Sequence, residues 1–482
     1  MFFFSKLREI VWGKPAATKA ERRLVLKLDL VILTFCCLMY WVNYLDRMNL
    51  NNAYVSGMKE DLNFHGTQLN VINTIFYGGY VLGQIPNNLA LQKLQPRLYF
   101  PGCMIAWGLL TLGTGFTHHP WEIMVIRFFQ AIFEASTFVG CHYILGSWYK
   151  EEELGKRTAI FTSSGLVGTM FSGFLQGGIH STLDGKAGLP GWRWLFVIDF
   201  CITFPIAIFG YLVFPDTPSS TRAKWLTPEE KKLAIERLPE VSKERGNVGW
   251  SVITRVMGTW HFWGFILIWT FASNTEMFST NAIMNLWLKS TGDYSVSQVN
   301  YIPTGVAAVG VVATLTLGWY SDFTKGHWHT GIILSFTAII SGAIMLNPPT
   351  RGAKFFALFF NGCQYASQTT MFAWANSLLR DDDAKRAVVL AAMNTLAIAV
   401  YMFWSLIFYN AAQAPKWYKG SIAMICMGIA FFLNTLVLRW LQRRDEKRGI
   451  TNGAEPPVSR DKDEELQTPI EKDEHHAGKQ SV

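Results

Sequence analysis

Apolar residues dominate the chain in twelve runs separated by short polar breaks. The runs cover 28–48, 70–91, 99–117, 121–148, 158–181, 193–214, 260–288, 300–320, 329–347, 354–379, 387–410 and 418–440. A helix of about 20 apolar residues crosses a bilayer, so each run is long enough to span one. Only helices and closed barrels satisfy their backbone polar groups inside lipid. Runs of this length predict helices, and the pattern predicts an all-α membrane protein of twelve transmembrane helices. The seventh and tenth runs carry enough polar residues to blur the hydropathy signal.

The polar breaks organise the rest. The longest interior one, 215–258, divides the spans into six and six, giving halves at 28–214 and 259–441. It opens with Pro215-Asp216-Thr217-Pro218 and continues with Thr227-Pro228-Glu229-Glu230. Thr as N-cap, Pro at the first helical position and acids in the first turn predict a short solvated helix. The halves echo each other. Lys150-Glu151-Glu152-Glu153 then Lys156-Arg157 follows the fourth span, and Arg380-Asp381-Asp382-Asp383 then Lys385-Arg386 follows the tenth. Matching loops in six-helix halves predict a duplicated transporter. Residues 442–482 have no apolar period and are expected to form a disordered tail.

Composition agrees. Charged residues make up only 16% of the 482 positions, against about 25% in an average soluble domain. The net charge of +8 points to an anionic membrane surface and not to nucleic acid, because Lys and Arg gather in the loops of one side. Most of them lie in the even-numbered loops and the tails, so the positive-inside rule puts both termini and 215–258 in the cytosol. The segment Met1 to Gly13 has too short an apolar stretch and no small-residue cleavage site for a cleaved signal, so the run beginning near Leu28 is expected to be a retained span. The seven cysteines, Cys36, Cys37, Cys103, Cys141, Cys201, Cys363 and Cys426, all fall in apolar runs and are expected to be buried free thiols. No Walker A pattern, metal-ligand spacing or nucleophile motif occurs. ATP-driven transport, catalysis, metals and cofactors therefore have no support in the sequence.

Ionisable side chains inside spans carry the strongest functional signal, since placing a charge in lipid costs at least about 2.5 kcal/mol. Four stand out in the first half: Asp46 and Arg47, expected near the outer end of the first span, and Arg127 and Glu134 in the fourth. Arg127 and Glu134 are two helical turns apart and share a face with Gln130. Two acids and two guanidiniums sum to zero. An anionic substrate needs a free Arg, and freeing one strands a buried carboxylate unless Asp46 or Glu134 takes a proton. Anion binding and proton binding should therefore be linked. Arg suits the anion because its planar fork matches a carboxylate.

The second half is richer in neutral polar groups. Glu276 is the only acid well inside a predicted span there. Asn274, Asn281, Asn285, Gln364, Gln368, Thr369, Thr370 and Asn394 can recognise hydroxyls and amides or bond one helix to another. Tyr77, Tyr80 and Trp374 are placed to line a cavity or to pack. Arg47, Arg127, Tyr80, Gln130, Asn281, Gln368 and Asn394 are the expected substrate contacts, with Asp46 and Glu134 as proton sites. Gly165, Gly168, Gly173, Gly177 and Gly178 in the fifth span suit close helix packing. Gly318-Trp319-Tyr320-Ser321-Asp322 ends the eighth span, and Gly83-Gln84-Ile85-Pro86-Asn87 the second, with Asn where the other half has Asp.

These segments resemble the major facilitator superfamily over nearly all the spans. Tyr44-Leu45-Asp46-Arg47, Asn51 to Leu62, Gln84-Ile85-Pro86-Asn87-Asn88, Arg127 to Glu134, Gly146 to Lys150 and Gly191-Trp192-Arg193-Trp194-Leu195-Phe196 resemble the fungal anion:cation symporters. That group includes allantoate, nicotinate and pantothenate permeases, and 127–214 is most similar to the pantothenate permeases. The resemblance implies twelve helices, alternating access and proton-coupled uptake at the plasma membrane. It makes Asp46 and Glu134 the proton acceptors, Arg47 an anion ligand and Arg127 its partner. Asp322, Arg157 and Arg386 become the expected gating residues on the cytosolic side. A monocarboxylate vitamin such as pantothenate is the favoured cargo, carried with protons by a monomer in contact only with lipid. Allantoate, nicotinate or another carboxylate, export of a secondary metabolite, and a nutrient receptor that signals without transport are the alternatives.

Overall fold

Polar caps and prolines cut the apolar sequence into helices. Pro96 opens one after Leu94-Gln95. His119-Pro120 opens the next, where Glu122 Oε2 accepts from the His118 and His119 backbone at 2.8 and 3.3 Å. Gly292, at φ 71°, ends the seventh span in the left-handed region that glycine tolerates. Ser295 and Gln298 form a capping box that starts the eighth. The computed structural model describes residues 18–238, 250–280, 282–324, 326–379 and 382–449; the expected tail lies outside them, apart from its first residues.

The described chain forms twelve helical spans. They are α1 (Lys19–Asp61), α2 (Gln68–Lys93), α3 (Pro96–Thr114), α4 (Pro120–Trp148), α5 (Glu151–Leu183) and α6 (Gly191–Val213). The second half holds α7 (Trp260–Thr275, Met277–Thr280 and Ile283–Thr291), α8 (Val296–Tyr301 and Thr304–Thr324) and α9 (His327–Leu346). It ends with α10 (Arg351–Asn361, Gly362–Tyr365 and Ala366–Leu378), α11 (Asp383–Phe408) and α12 (Tyr418–Lys447). Eight of these are long and apolar enough to cross a membrane by length and composition. Of the other four, α2 and α3 fall below that length or hydropathy, and α7 and α10 are broken mid-way.

The largest departure from the hydropathy pattern is α1. Its apolar run stops at residue 48, yet the helix continues through Asn49, Asn51 and Asn52, all buried, to a kink at Ser56-Gly57, and a last turn ends at Asp61. Asp46 and Arg47 are therefore inside the helix, more than two turns before the kink, and not at its end. Cys201 and Cys426 depart too, being exposed on the helix surface and not buried. Exposed apolar residues such as Leu82, Leu109, Leu212, Val312, Phe403 and Trp440 belong to faces with no protein neighbour, as a lipid-facing surface requires.

Three apolar clusters show how the halves meet. One lies within α1 to α6 near the N-terminus, with Phe35, Trp107 and Trp148. A second lies within α7 to α12, with Phe265, Trp374 and Phe431. The third joins both halves at the opposite end, through Tyr54, Trp192, Trp287 and Trp417. Polar contacts across the halves gather there as well. Asn70 Nδ2 donates to the Tyr409 carbonyl at 3.0 Å and its Oδ1 accepts from Ala411 N at 2.8 Å. Asn300 Nδ2 donates to Ser56 Oγ at 2.9 Å, and Lys289 pairs with Glu60 at 2.7 Å. A Cβ on Gly177 would sit 2.3 Å from the Tyr301 ring, and one on Gly173 2.5 Å from Thr304. Glycine at these points lets α5 and α8 touch. Gly168 does the same for α5 on α1, 2.3 Å from the Trp41 carbonyl. The far end is thus closed.

At the terminal end several ion pairs join elements of one half. Lys150 reaches Glu21 at 2.6 Å, and Arg157 reaches Asp29 at 2.6 Å. The linker helix Pro228–Glu236 starts at the expected Thr227, with a capping box to Glu230. It is docked, not merely solvated: Glu230 holds Lys27 at 2.7 Å, and the buried Arg237 just beyond it holds Glu153 at 3.1 Å. The echoed loops serve matching ends. Lys150 caps α5 and Asp382 caps α11, and Arg255 pairs with Asp382 at 3.1 Å as Arg237 does with Glu153.

Candidate functional site

A cavity lies between the halves, at the depth where α1, α2 and α4 face α7, α10 and α11. Arg47, Arg127, Tyr44, Phe76, Tyr77 and Tyr80 form one wall; Glu276, Tyr365, Gln368, Asn394 and Tyr401 form the other. Helical spacing explains the first wall. Tyr40, Tyr44 and Arg47 are successive turns of α1, and Phe76 and Tyr80 are one turn apart on α2.

Both guanidiniums sit among aromatic faces. Arg47 Cζ is 4.8 Å from the Tyr80 ring centroid, 5.3 Å from Tyr44 and 5.4 Å from Phe76. Arg127 Cζ is 5.2 Å from Phe76. Such rings favour a cation and hold it in place without neutralising it. Arg47 Nε lies 3.3 Å from Glu134 Oε2, the closest ion pair in the cluster. Arg127 is held by backbone, donating to the Arg47 carbonyl at 3.2 Å and the Asp46 carbonyl at 3.4 Å. Its Nε has no acceptor.

The carboxylates stand behind this wall. Glu134 has no exposed surface and also accepts from Asn43 Nδ2 at 3.0 Å and Gln130 Nε2 at 2.8 Å. Asp46, 1% exposed, accepts from Thr111 Oγ1 at 3.0 Å. Gln130, an expected substrate contact, is buried outside the cavity wall. It bridges Thr111 and Glu134 and so links the two acids. Its helix face was legible, but its depth depended on α3 packing over it.

Tyr80, Gln368 and Asn394 do line the cavity. Asn281 lies outside the described residues. The expected gating residues stand apart from the site. Arg157 is bound to Asp29 and stacks on Tyr149 at 4.4 Å, Arg386 is half-buried in the first turn of α11, and Asp322 belongs to the last turns of α8.

The sequence pattern singles out four charges in the first half; the structure adds a fifth. Asp199 on α6 is fully buried, beside the stretch of α1 that carries Asp46 and Asn49. Its signal is the same, an acid inside an apolar run. The zero sum of the quartet is therefore incomplete. Asn49 Nδ2 donates to Asp199, Ser172 Oγ donates to Asn49 Oδ1 at 2.6 Å, and Asn52 Nδ2 donates to Ser172 Oγ at 2.7 Å. Asn285 of the other half reaches Asn52 at 3.4 Å. A polar ladder along α1 thus joins the acids to the closed end.

Glu276 is the acid of the opposite wall. It accepts from Ser367 Oγ at 2.9 Å and breaks α7 between Thr275 and Met277. Gln368 and Asn394 make no side-chain hydrogen bond among the described residues, which leaves their amides for a ligand.

The sequence profile of the Major Facilitator Superfamily matches residues 36–403. The chain belongs to that superfamily. Like other facilitators it is a multi-pass membrane transporter and not an enzyme. It is 43% identical over 433 residues to the pantothenate transporter liz1 of Schizosaccharomyces pombe, covering 89% of this chain and 84% of that protein. It is 44% identical over 453 residues to the pantothenate transporter FEN2 of Saccharomyces cerevisiae, covering 91% and 87%. The vitamin H transporter of the same yeast is 30% identical over 448 residues, covering 90% and 75%. Among solved structures, a bacterial homologue of the human lysosomal transporter Spinster superposes with a TM-score of 0.65 at 15% identity, covering 88% of this chain and 98% of that one. That likeness places the facilitator fold, with its six-and-six helix arrangement, on this chain.

Proposed function

We propose that this facilitator imports pantothenate, or a closely similar monocarboxylate, together with protons across the plasma membrane by alternating access. The observation that carries the reading is the pair of guanidiniums, Arg47 and Arg127, in the wall of a cavity between the two halves. Likeness to two pantothenate transporters across most of the chain narrows the anion.

The carboxylate of the substrate would bind Arg47 and Arg127. Arg47 already holds Glu134, so substrate and Glu134 compete for it. A proton on Glu134 ends that competition and keeps the buried charge balanced as the anion arrives. Asp46 holds the second expected proton. Tyr80 fixes Arg47, and Gln130 relays between the acids. Gln368 and Asn394 face the amide and hydroxyls of the substrate; Asn281 is a further substrate contact expected from the sequence. Asp322, Arg157 and Arg386 act as gating residues at the terminal end. Both termini are cytosolic, and a single copy in lipid suffices.

The test is uptake of labelled pantothenate by cells that lack their own permease and express this chain. Accumulation that rises with external acidity and is competed by unlabelled pantothenate more than by allantoate or nicotinate is expected. Accelerated loss of preloaded label instead would make the chain an exporter. No movement in either direction, with protein at the surface, would leave the receptor reading.

A further inference from the structure

In the cluster of α1, α4 and α6 the acids outnumber the bases. Asp46, Glu134 and Asp199 are 1% exposed or less, beside Arg47 and Arg127. Three carboxylates against two guanidiniums leave one uncompensated negative charge in the membrane interior, a state that costs several kcal/mol. One proton brings the cluster to neutrality.

Geometry says where that proton sits. Asn49, one turn beyond Asp46 on α1, donates to Asp199, so the two acids are buried neighbours. Asp46 Oδ2 and Asp199 Oδ1 are each buried and have no hydrogen-bond partner. Two carboxylates crowded into one buried place do not both stay ionised, and a single proton between these two open oxygens satisfies both. The remaining oxygens are fixed: Thr111 Oγ1 meets Asp46 Oδ1 at 3.0 Å, and Asn49 Nδ2 meets Asp199 Oδ2. Thr111 also faces the Trp107 carbonyl at 3.0 Å, so its single hydroxyl proton serves two acceptors. Glu134 has no such carboxyl partner; it holds Arg47, which lines the cavity. Neither Asp46 nor Asp199 lines it.

We infer that Asp46 and Asp199 share one proton and keep it through the transport cycle, leaving Glu134 as the carboxyl that exchanges. The sharing stands on the geometry alone; the division of labour rests on the proton-coupled reading above. The groups facing the pair are Arg127 and Glu134 on α4 and Arg47 on α1, with neutral Thr111 from α3 and Ser172 from α5. Proton balance is simple. The pair bears one negative charge before and after a cycle. Each carboxylate that enters is accompanied by the proton on Glu134, released to water on the inner side. Asp199 is a positioning residue: it acts on transport through Asp46 and the ladder Asn49, Ser172 and Asn52.

The test has two arms on purified full-length protein. Infrared difference spectra without substrate, at neutral pH, should show a protonated-carboxyl band that disappears in Asp199→Asn and equally in Asp46→Asn, and persists in Glu134→Gln. This arm needs no transport and survives failure of the substrate reading. In proteoliposomes, protons moved per pantothenate should be the same in Asp199→Asn as in the natural chain, whatever the rate. A band that outlasts either Asn substitution would overturn the shared proton. A proton count lowered by one in Asp199→Asn would overturn its residence. Asp199→Glu, which keeps the carboxyl, should restore the band if Asp199→Asn does not fold.

Discussion

Arg47 and Glu134 belong to different helices, 87 residues apart, and meet at 3.3 Å with only the Arg side chain reaching the cavity. The pair is a contact that an anion can break from one side. On the proposed function, a carboxylate in the cavity would take the guanidinium, and the carboxyl left behind would have to be neutralised.

Arg47→Ala should weaken pantothenate binding by roughly 30-fold or more, about 2 kcal/mol, because it removes a charged ligand and strands Glu134. Arg47→Lys should recover little, since a point charge loses the fork. Equilibrium binding to purified protein measures both. Unchanged affinity in Arg47→Ala would place the anion elsewhere.

Glu134→Gln mimics the protonated carboxyl. Binding should persist with a flatter pH dependence. Gradient-driven uptake should fall at least tenfold, while counterflow survives because exchange requires no proton release. If Glu134 only braced α4 against α1, folded protein, counterflow and net uptake would all decline together.

The second-half wall should set selectivity. Gln368→Leu and Asn394→Leu each remove a neutral hydrogen bond, worth about 0.5–1.5 kcal/mol. The KM for pantothenate should rise roughly two- to twelvefold, and inhibition by a short alkanoate without amide or hydroxyls should barely change. Equal losses for both ligands would make the effect one of packing.

Gly177→Leu should prevent the far end from closing. The new side chain would collide with Tyr301, already 2.3 Å from where a Cβ would stand. Labelling of a cysteine placed at Asn73, in the cavity wall, should become faster from outside the cell. An unchanged labelling rate would show that α5 and α8 separate freely without that contact.

Stability should depend on the linker. Arg237 is 2% exposed and pairs with Glu153 and Glu21. Arg237→Ala takes the buried guanidinium away from Glu153 and Glu21, the latter keeping Lys150, and should cost about 3 kcal/mol. Lys27→Ala, from the more exposed pair with Glu230, should cost under about 1 kcal/mol. Thermal unfolding of the detergent-purified protein compares the two; equal shifts would deny the linker this anchoring role.

The sequence by itself determined the helices, the halves and much of the chemistry. Lipid forces any apolar run of sufficient length into a helix, and an acid or Arg inside such a run is too costly to be idle. Arg47, Arg127 and Glu134 were legible for that reason, as was the linker helix from its Thr227 cap. Tertiary structure decided the rest. Hydropathy measures one helix against lipid and stops α1 at residue 48, but Asn49 and Asn52 are satisfied by Asp199 and Ser172 on other helices, so the helix runs on and carries Asp46 to mid-depth. Gln130 faces away from the cavity because α3 lies over it. Asp46 and Asp199 are 153 positions apart in the chain (199 − 46), and only the packing of α6 against α1 makes them buried neighbours and turns a balanced quartet into a cluster with one acid in excess.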